Sequence, residues 1–294
     1  MKSKEDKIYE FSKKIYTETF NKEYKKLKEK YVGKSQKTHI PIAKEHEFEN
    51  SAQLEAIKST MITGRKLFPE DIPLLWNSIY RVHLFRKSGI SDITVLNNAI
   101  AASQSWKSSS GHAFEYMTKE LANLALRDTP IEFLLQRDLS TLLKAKELSN
   151  DPRDIAWLEK QIEVDNFDLY VVAINDNKKY CFGCVQCKTS IRDRVSRDRE
   201  LSSEAMRAFF WSISLVLDGT MLKTPKYIAM VNGGQTTFVE NGWHGMYDLS
   251  NTIPCERIYA LDMDFSIIKK HAMQAYKSWS EQRQWFTNKW IADN

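Results

Sequence analysis

The chain has 294 residues and a formal net charge of +5, with 42% hydrophobic and 28% charged residues. That length and balance fit a soluble globular protein of one large domain or two modest ones, and no apolar run is long enough to span a bilayer. The charged start Met1-Lys-Ser-Lys-Glu-Asp-Lys7 lacks the apolar stretch of a signal peptide, so a cytoplasmic location is expected, and the mild positive excess permits nucleic-acid binding without establishing it.

Ile8, Phe11, Ile15, Phe20, Tyr24, Leu27 and Tyr31 recur at helical spacing among lysines and predict an amphipathic helix that stops at Gly33. Residues 34–50 read as a polar connector around Pro41. A second helix is predicted over 52–63, and a third follows Pro69 with Ile72, Leu75, Trp76 and Ile79 on one stripe. Arg81, His83, Arg86 and Lys87 gather at the end of that third helix. They suit either a solvated face that favours the helix C-terminus or a DNA-facing patch. Residues 1–90 thus read as a helical N-terminal domain and 91–294 as a second domain.

Residues 91–109 are rich in Ser, Asn and Ala, and a serine cap near Ser110 is expected to launch a helix with Phe114, Met117, Leu121 and Leu124 on its stripe. Glu115 lies just off that stripe, where a first-turn acid also complements the helix dipole. Further helix is predicted over 131–148 and 152–162, with breaks at Pro130 and Pro152. The run Leu169–Ile174 and the run ending at Lys188 read as two strands. Asn175-Asp-Asn-Lys-Lys179 carries turn chemistry, so the strands should pair as a hairpin. A long apolar helix is expected through Met206, Phe209, Phe210, Ile213 and Leu217. Lys226–Val231 and Arg257–Leu261 read as strands, and an aromatic helix with Tyr276, Trp279, Trp285, Phe286 and Trp290 closes the chain. This order describes an α/β core with a mixed sheet.

Cys181, Cys184 and Cys187 have the C-x-x-C-x-x-C spacing of metal sites. Along a strand, however, every third residue points to alternating faces, and no second cluster completes a ligand set. Small buried thiols are the better account, Cys255 included, and disulfides are not expected in the cytosol.

The hairpin places Asp168, at the start of one strand, beside Lys188, at the end of its partner. Phosphodiester hydrolysis needs a metal to neutralise phosphate charge and acidify water, and it benefits from a nearby cation. Asp168 can supply one carboxylate, the carbonyl next to Lys188 another oxygen, and Lys188 the cation. Magnesium prefers oxygen ligands and keeps several waters, so one or two carboxylates suffice. Taken alone, an acid and a lysine at this spacing form a weak pattern that any hairpin can carry.

Lys188-Thr-Ser-Ile-Arg-Asp-Arg194 resembles the K-T-S-x-R-(D/E)-R signature of type II restriction endonucleases that recognise CCGG or CCNGG, within the PD-(D/E)XK nuclease superfamily. Ser110-Gly111 followed by Phe114-Glu115 is similar to that family's helix with an auxiliary acid. The resemblance covers residues 105–265 and is greatest to the BsaWI type. It implies a PD-(D/E)XK nuclease core, a mixed central sheet flanked by helices, with a helical N-terminal region. It also implies Asp168 and Lys188 in a catalytic, Mg2+-binding centre, with Glu115 as the auxiliary acid. Arg192 and Asp193 would read the target, since arginine donates two bonds to guanine and a carboxylate accepts from cytosine. Arg194 would do the same or bind phosphate. A solvated ion pair at a strand end is the plain alternative for this tripeptide.

Two positions depart from the signature: Phe167 replaces its proline, and Gln186 occupies its acidic position. The family typically moves that acid to the following helix, where Glu204 and Glu200 are the candidates and Glu204, after Ser202-Ser203, is preferred as the second metal ligand. The expectation is a Mg2+-dependent endonuclease that cuts double-stranded DNA at a CCGG-containing site and leaves a 5′-phosphate. Two-fold target symmetry implies a homodimer or higher homo-oligomer. The competing readings are a CCNGG-specific or repair nuclease of the same superfamily, a catalytically inert DNA-binding module, and a cysteine-based metal or redox protein.

Overall fold

The computed structural model describes residues 3–35, 40–191, 195–250 and 253–293, which divide into two compact units, Met1–Ser103 and Gln104–Asn294. In the first unit, α1 (Lys4–Ser35), α2 (Ile42–Leu67) and α3 (Ile72–Ser88) pack around Ile8, Tyr16, Phe20, Ala52, Ala56, Leu75, Ile79 and Val82. Helix α1 runs past Gly33. Pro41 is the N-cap of α2, so residues 42–50 are helix rather than connector, while 36–39 lie outside the described residues. The basic group at the end of α3 is engaged within its own unit. Arg81 pairs with Glu5 at 3.1 Å, and Arg86 and Lys87 each meet Glu49 at 3.3 Å. The His83 ring bonds the Tyr16 hydroxyl at 2.9 Å.

Helix α4 (Ile93–Leu126) starts well before the serine run, because the Asp92 carboxylate caps it by accepting from the Thr94 and Val95 amides at 2.8 and 3.2 Å. Glu115 therefore lies far inside the helix and is no first-turn acid. The second unit holds a six-stranded mixed sheet of β1 (Ile131–Leu135), β2 (Leu169–Asn175), β3 (Lys178–Lys188), β4 (Trp211–Val216), β5 (Gly245–Asp248) and β6 (Ile258–Ala260). The strands lie in chain order; β1, β2 and β3 pair antiparallel and β3 to β6 parallel. Helices α4 and α9 (Ser266–Glu281) cover one face through Phe114, Ala122, Ile268, Ala272 and Trp279. Helices α5 (Gln136–Lys144), α6 (Pro152–Glu163) and α7 (Val195–Arg207) cover the other through Leu139, Leu158 and Ala205.

Four predicted elements are corrected. β1 replaces the front of a predicted helix, because Ile131, Phe133 and Leu135 alternate onto one face and the Asn123 side chain bonds both backbone groups of Phe133. The predicted helix through Ile213 ends early: Phe209 takes a left-handed φ of 63°, and Trp211–Val216 then forms a strand buried along its whole length. Such an apolar run cannot be told from buried helix by periodicity. Lys226–Val231 is helix within α8 (Pro225–Asn232), which starts on a proline in its first turn. Trp285, Phe286 and Trp290 follow α9 rather than belong to it, and Trp285 is exposed.

The β2–β3 hairpin closes through Asp176 and Asn177 at φ 48° and 59°, the paired left-handed residues of a tight hairpin turn. A bulge opposite Val171/Val172 makes Phe182 an extra residue. It puts Cys181 and Cys184 on the same face, where plain alternation would have parted them, while Cys187 packs on the opposite one. All three thiols are buried and pushed up by burial.

Fully buried His244 ties β4 to the C-terminal segment. Its Nδ1 accepts from the Ser212 amide at 3.0 Å, and its Nε2–H donates to the Thr287 carbonyl at 2.9 Å. Only the neutral ring can do both, and burial pushes its pKa from 6.5 down to about 3. The depressed value gives stability that is complete above pH 6.5 and drains as pH falls toward 3. In denaturant titrations, wild type should lose about 1.4 kcal/mol per pH unit more than His244→Gln between pH 6 and 4. Equal slopes would clear His244 as the source.

Candidate active site

Pairing of β2 with β3 builds the site. The Asp168 amide donates to the Val185 carbonyl at 3.0 Å, and its Oδ2 accepts from the Cys187 amide at 2.6 Å. The carboxylate is thereby fixed on β3 itself, and Lys188 Nζ lies 3.9 Å from the same oxygen. The expected acid–lysine pair is brought together. The carbonyls of Lys188 and Thr189 accept from the Leu217 and Asp218 amides at 2.9 and 3.2 Å, which anchors the end of β3 to the chain leaving β4.

The helix-borne acid beside the lysine is Asp198. It sits in the first turn of α7, with Oδ1 3.4 Å from Lys188 Nζ. The three side chains keep partial access to solvent, with 26%, 32% and 20% exposure for Asp168, Lys188 and Asp198. They line a cleft of about 620 Å³ together with Asp165, Ser190, Arg197, Ser214 and Trp243. Glu200 and Glu204 lie on α7 but are exposed and absent from the cleft wall. The sequence did carry a signal for Asp198. With the helix begun at Val195, Asp198 falls on the stripe of buried Val195, Ser202 and Ala205, three or four residues apart, and Glu200 and Glu204 fall off it. The late predicted helix start hid it.

Glu115 does approach the site from α4. It lines an adjoining cleft of about 580 Å³ with Asp168, Asp165, Gln136 and Arg137, and the His112 ring bonds it at 3.2 Å. Arg192, Asp193 and Arg194 lie outside the described residues. At the signature's acid position, Gln186 is fully buried and uncharged.

Burial pushes Asp168 up from 3.8 to about 6; Lys188 and the Cys187 amide hold it down, while Glu115 and Asp198 push it further up. Two acids thus meet one lysine and a third, Glu115, acts on Asp168, a surplus of negative charge that suits a cation. Among the described residues no group of three or more His, Cys, Asp or Glu forms a closed ligand set. Two carboxylates with room for water still fit a hard divalent ion that keeps part of its hydration shell.

A mixed sheet thus brings two acids and a lysine together beside its strand ends, and comparison with known proteins gives the family. Residues 146–285 match the family model of BsaWI restriction endonuclease type 2. The crystal structure of a pre-specific restriction endonuclease BsaWI–DNA complex is 42% identical, with a TM-score of 0.79 over 98% of this chain and 99% of that one. The crystal structure of a specific restriction endonuclease AgeI–DNA complex is 17% identical, with a TM-score of 0.35 over 77% of this chain and 78% of that one. No match was found among curated proteins. The chain belongs to the BsaWI family of type II restriction endonucleases. It is a DNA-binding, site-specific deoxyribonuclease, and its family generally uses divalent metal ions. Among the described residues no helix is long and apolar enough to cross a membrane.

Because the fold disfavours ionised Asp168, stability contributed by its protonated form is lost as pH rises from about 4 through 6. Asp168→Asn avoids that loss. In metal-free buffer it should melt above wild type at pH 8 and level with it near pH 4. A variant that melts below wild type at pH 8 would show that the Cys187 and Lys188 contacts outweigh burial.

Proposed function

We propose that the enzyme requires Mg2+ and cuts duplex DNA at a site with a CCGG core, acting as a homodimer or higher homo-oligomer in the cytoplasm. The observation that carries the catalytic part is Lys188 Nζ held between the carboxylates of Asp168 and Asp198, at 3.9 and 3.4 Å. Asp168 and Asp198 are the residues that would hold the ion, with Glu115 as an auxiliary acid. When bound, Mg2+ neutralises phosphate charge and makes water a better nucleophile. Lys188 donates to the attacking water and to a phosphate oxygen, so charge that develops in the transition state meets a fixed cation. Asp168 lines the cleft and has one oxygen tied to the Cys187 amide. The cut leaves a 5′-phosphate.

Support for the target comes from the Lys188–Arg194 heptad and from family membership. Adjacent Arg192 and Asp193 suit a run of C·G pairs, because the guanine edge accepts and cytosine N4 donates. Two-fold symmetry of such a target supports an even-numbered assembly. The helical N-terminal domain would touch flanking DNA or support that assembly.

Digestion of a fully sequenced phage DNA with Mg2+ or EDTA, followed by end sequencing, tests the reading. Discrete Mg2+-dependent cuts at one CCGG-containing motif are expected. Cuts confined to CCNGG would replace the target, and cutting in EDTA would end the metal claim. Asp168→Asn, Lys188→Met and Asp198→Asn should each lower cleavage by at least about 10²-fold, whereas Glu200→Gln and Glu204→Gln should stay near wild type. Arg192→Ala should weaken binding to the mapped site by about 1–3 kcal/mol.

A further inference from the structure

Gln186 stands two residues before Lys188 on β3, on the same face of the strand, where the signature places a metal-binding acid. It is fully buried, and each end of its carboxamide has a partner. Nε2 donates to the main-chain carbonyl of Asp198 at 3.0 Å, and Oε1 accepts from the Trp243 indole N–H at 2.8 Å. The Ser214 hydroxyl donates to its backbone carbonyl at 3.2 Å. Trp243 is itself placed by Asn241, whose amide donates to the Trp243 carbonyl at 2.8 Å.

These bonds allow one orientation of the amide. An indole N–H only donates, so the oxygen of Gln186 must face Trp243 and its NH2 must face Asp198. A carboxylate of the same shape could still accept from Trp243, but its second oxygen would confront the Asp198 carbonyl with no proton between them. An ionised acid at position 186 is thus incompatible with α7 seated where it is. Helix α7 has a second anchor one residue on, where Arg199 Nε donates to the Met230 carbonyl at 3.1 Å. Gln186 is the anchor that ties the first turn of α7 to the strand carrying Lys188.

We propose that Gln186, oriented by Trp243, is a positioning residue that fixes Asp198 against Lys188 and so sets the affinity of the site for its divalent ion. This inference rests on Asp198 being the helix-borne acid. A residue that fixes a ligand by hydrogen bonding typically governs metal affinity or activity by about 10- to 100-fold.

The test uses the full-length enzyme and a duplex bearing a site that wild type cuts. Gln186→Glu, Gln186→Met and Trp243→Phe are compared with Asp198→Asn. Single-turnover cleavage is followed against Mg2+ concentration. The gain in duplex affinity on adding Ca2+ is read by fluorescence anisotropy, alongside affinity in EDTA and thermal melting. The two Gln186 variants are expected to need about 10-fold more Mg2+ for half-maximal rate and to lose most of the Ca2+-dependent gain. Their binding in EDTA should stay at the wild-type level. Trp243→Phe, which keeps an aromatic ring and removes the indole N–H that orients the amide, should shift the Mg2+ dependence in the same direction by less. Should Gln186→Glu fail to fold, Gln186→Met and Trp243→Phe carry the test. Unchanged Mg2+ and Ca2+ dependence in these variants, with Asp198→Asn inactive, would overturn the positioning role alone. A rate loss equal at every Mg2+ concentration, in step with lowered melting, would also overturn it by showing a merely structural residue. An active Asp198→Asn would instead remove the assignment on which the inference stands.

Discussion

The register between β2 and β3 is the constraint on which the rest depends. Asp168 bonds β3 twice, once through its amide and once through its carboxylate, and that double attachment holds an acid within reach of Lys188. The tight turn at Asp176 and Asn177 fixes where pairing begins, and the extra residue Phe182 shifts every later residue of β3 by one. In a strand a shift of one exchanges the faces. Without the bulge, Lys188 would take the face that Cys187 holds now, toward the core packed under α4 and α9 and away from α7. The place of Lys188 at a strand end beside Asp168 is therefore a consequence of hairpin geometry several residues upstream.

The site that results works against the stability of its own fold. Burial and two neighbouring acids make ionised Asp168 unfavourable, and Lys188 relieves only part of that. Proteins keep such conflicts where function requires them and compensate elsewhere. Here the compensation is a sheet whose central strands bury both faces: Leu169–Ala173 on β2 and all of β4 are inaccessible to solvent. The electrostatic strain sits at the strand ends, where the chain leaves the core, and is confined to side chains that solvent and an incoming cation can reach.

What the sequence made legible follows from the range of the interactions involved. The hairpin, its turn and the pairing of Asp168 with Lys188 rest on local patterns, and these were readable. α6 was readable as the helix after Pro152, and α9 in part, through Tyr276 and Trp279. β4 and α8 were misread because short apolar runs have no useful period, and only the Phe209 backbone and the neighbouring strands settle them. The bulge left no mark in the cysteine spacing that invited a metal. Asp198 was missed for a different reason: choosing among Asp198, Glu200 and Glu204 depends on where α7 starts and which face it turns to β3, and helix starts are the least certain part of such a reading.

The same dependence explains how an acid can leave the strand and still serve the lysine. On β3 a carboxylate at position 186 would be placed by the strand alone, two residues from Lys188. Moved to a helix, it is placed only as well as the helix start is held. The first turn of α7 is held by a donor that must be neutral, since it gives its proton to the Asp198 carbonyl and accepts from Trp243. An amide at 186 thus meets two partners that an ionised acid there could not meet together. The residue that departs from the signature bonds the helix turn that carries Asp198, the acid 3.4 Å from Lys188.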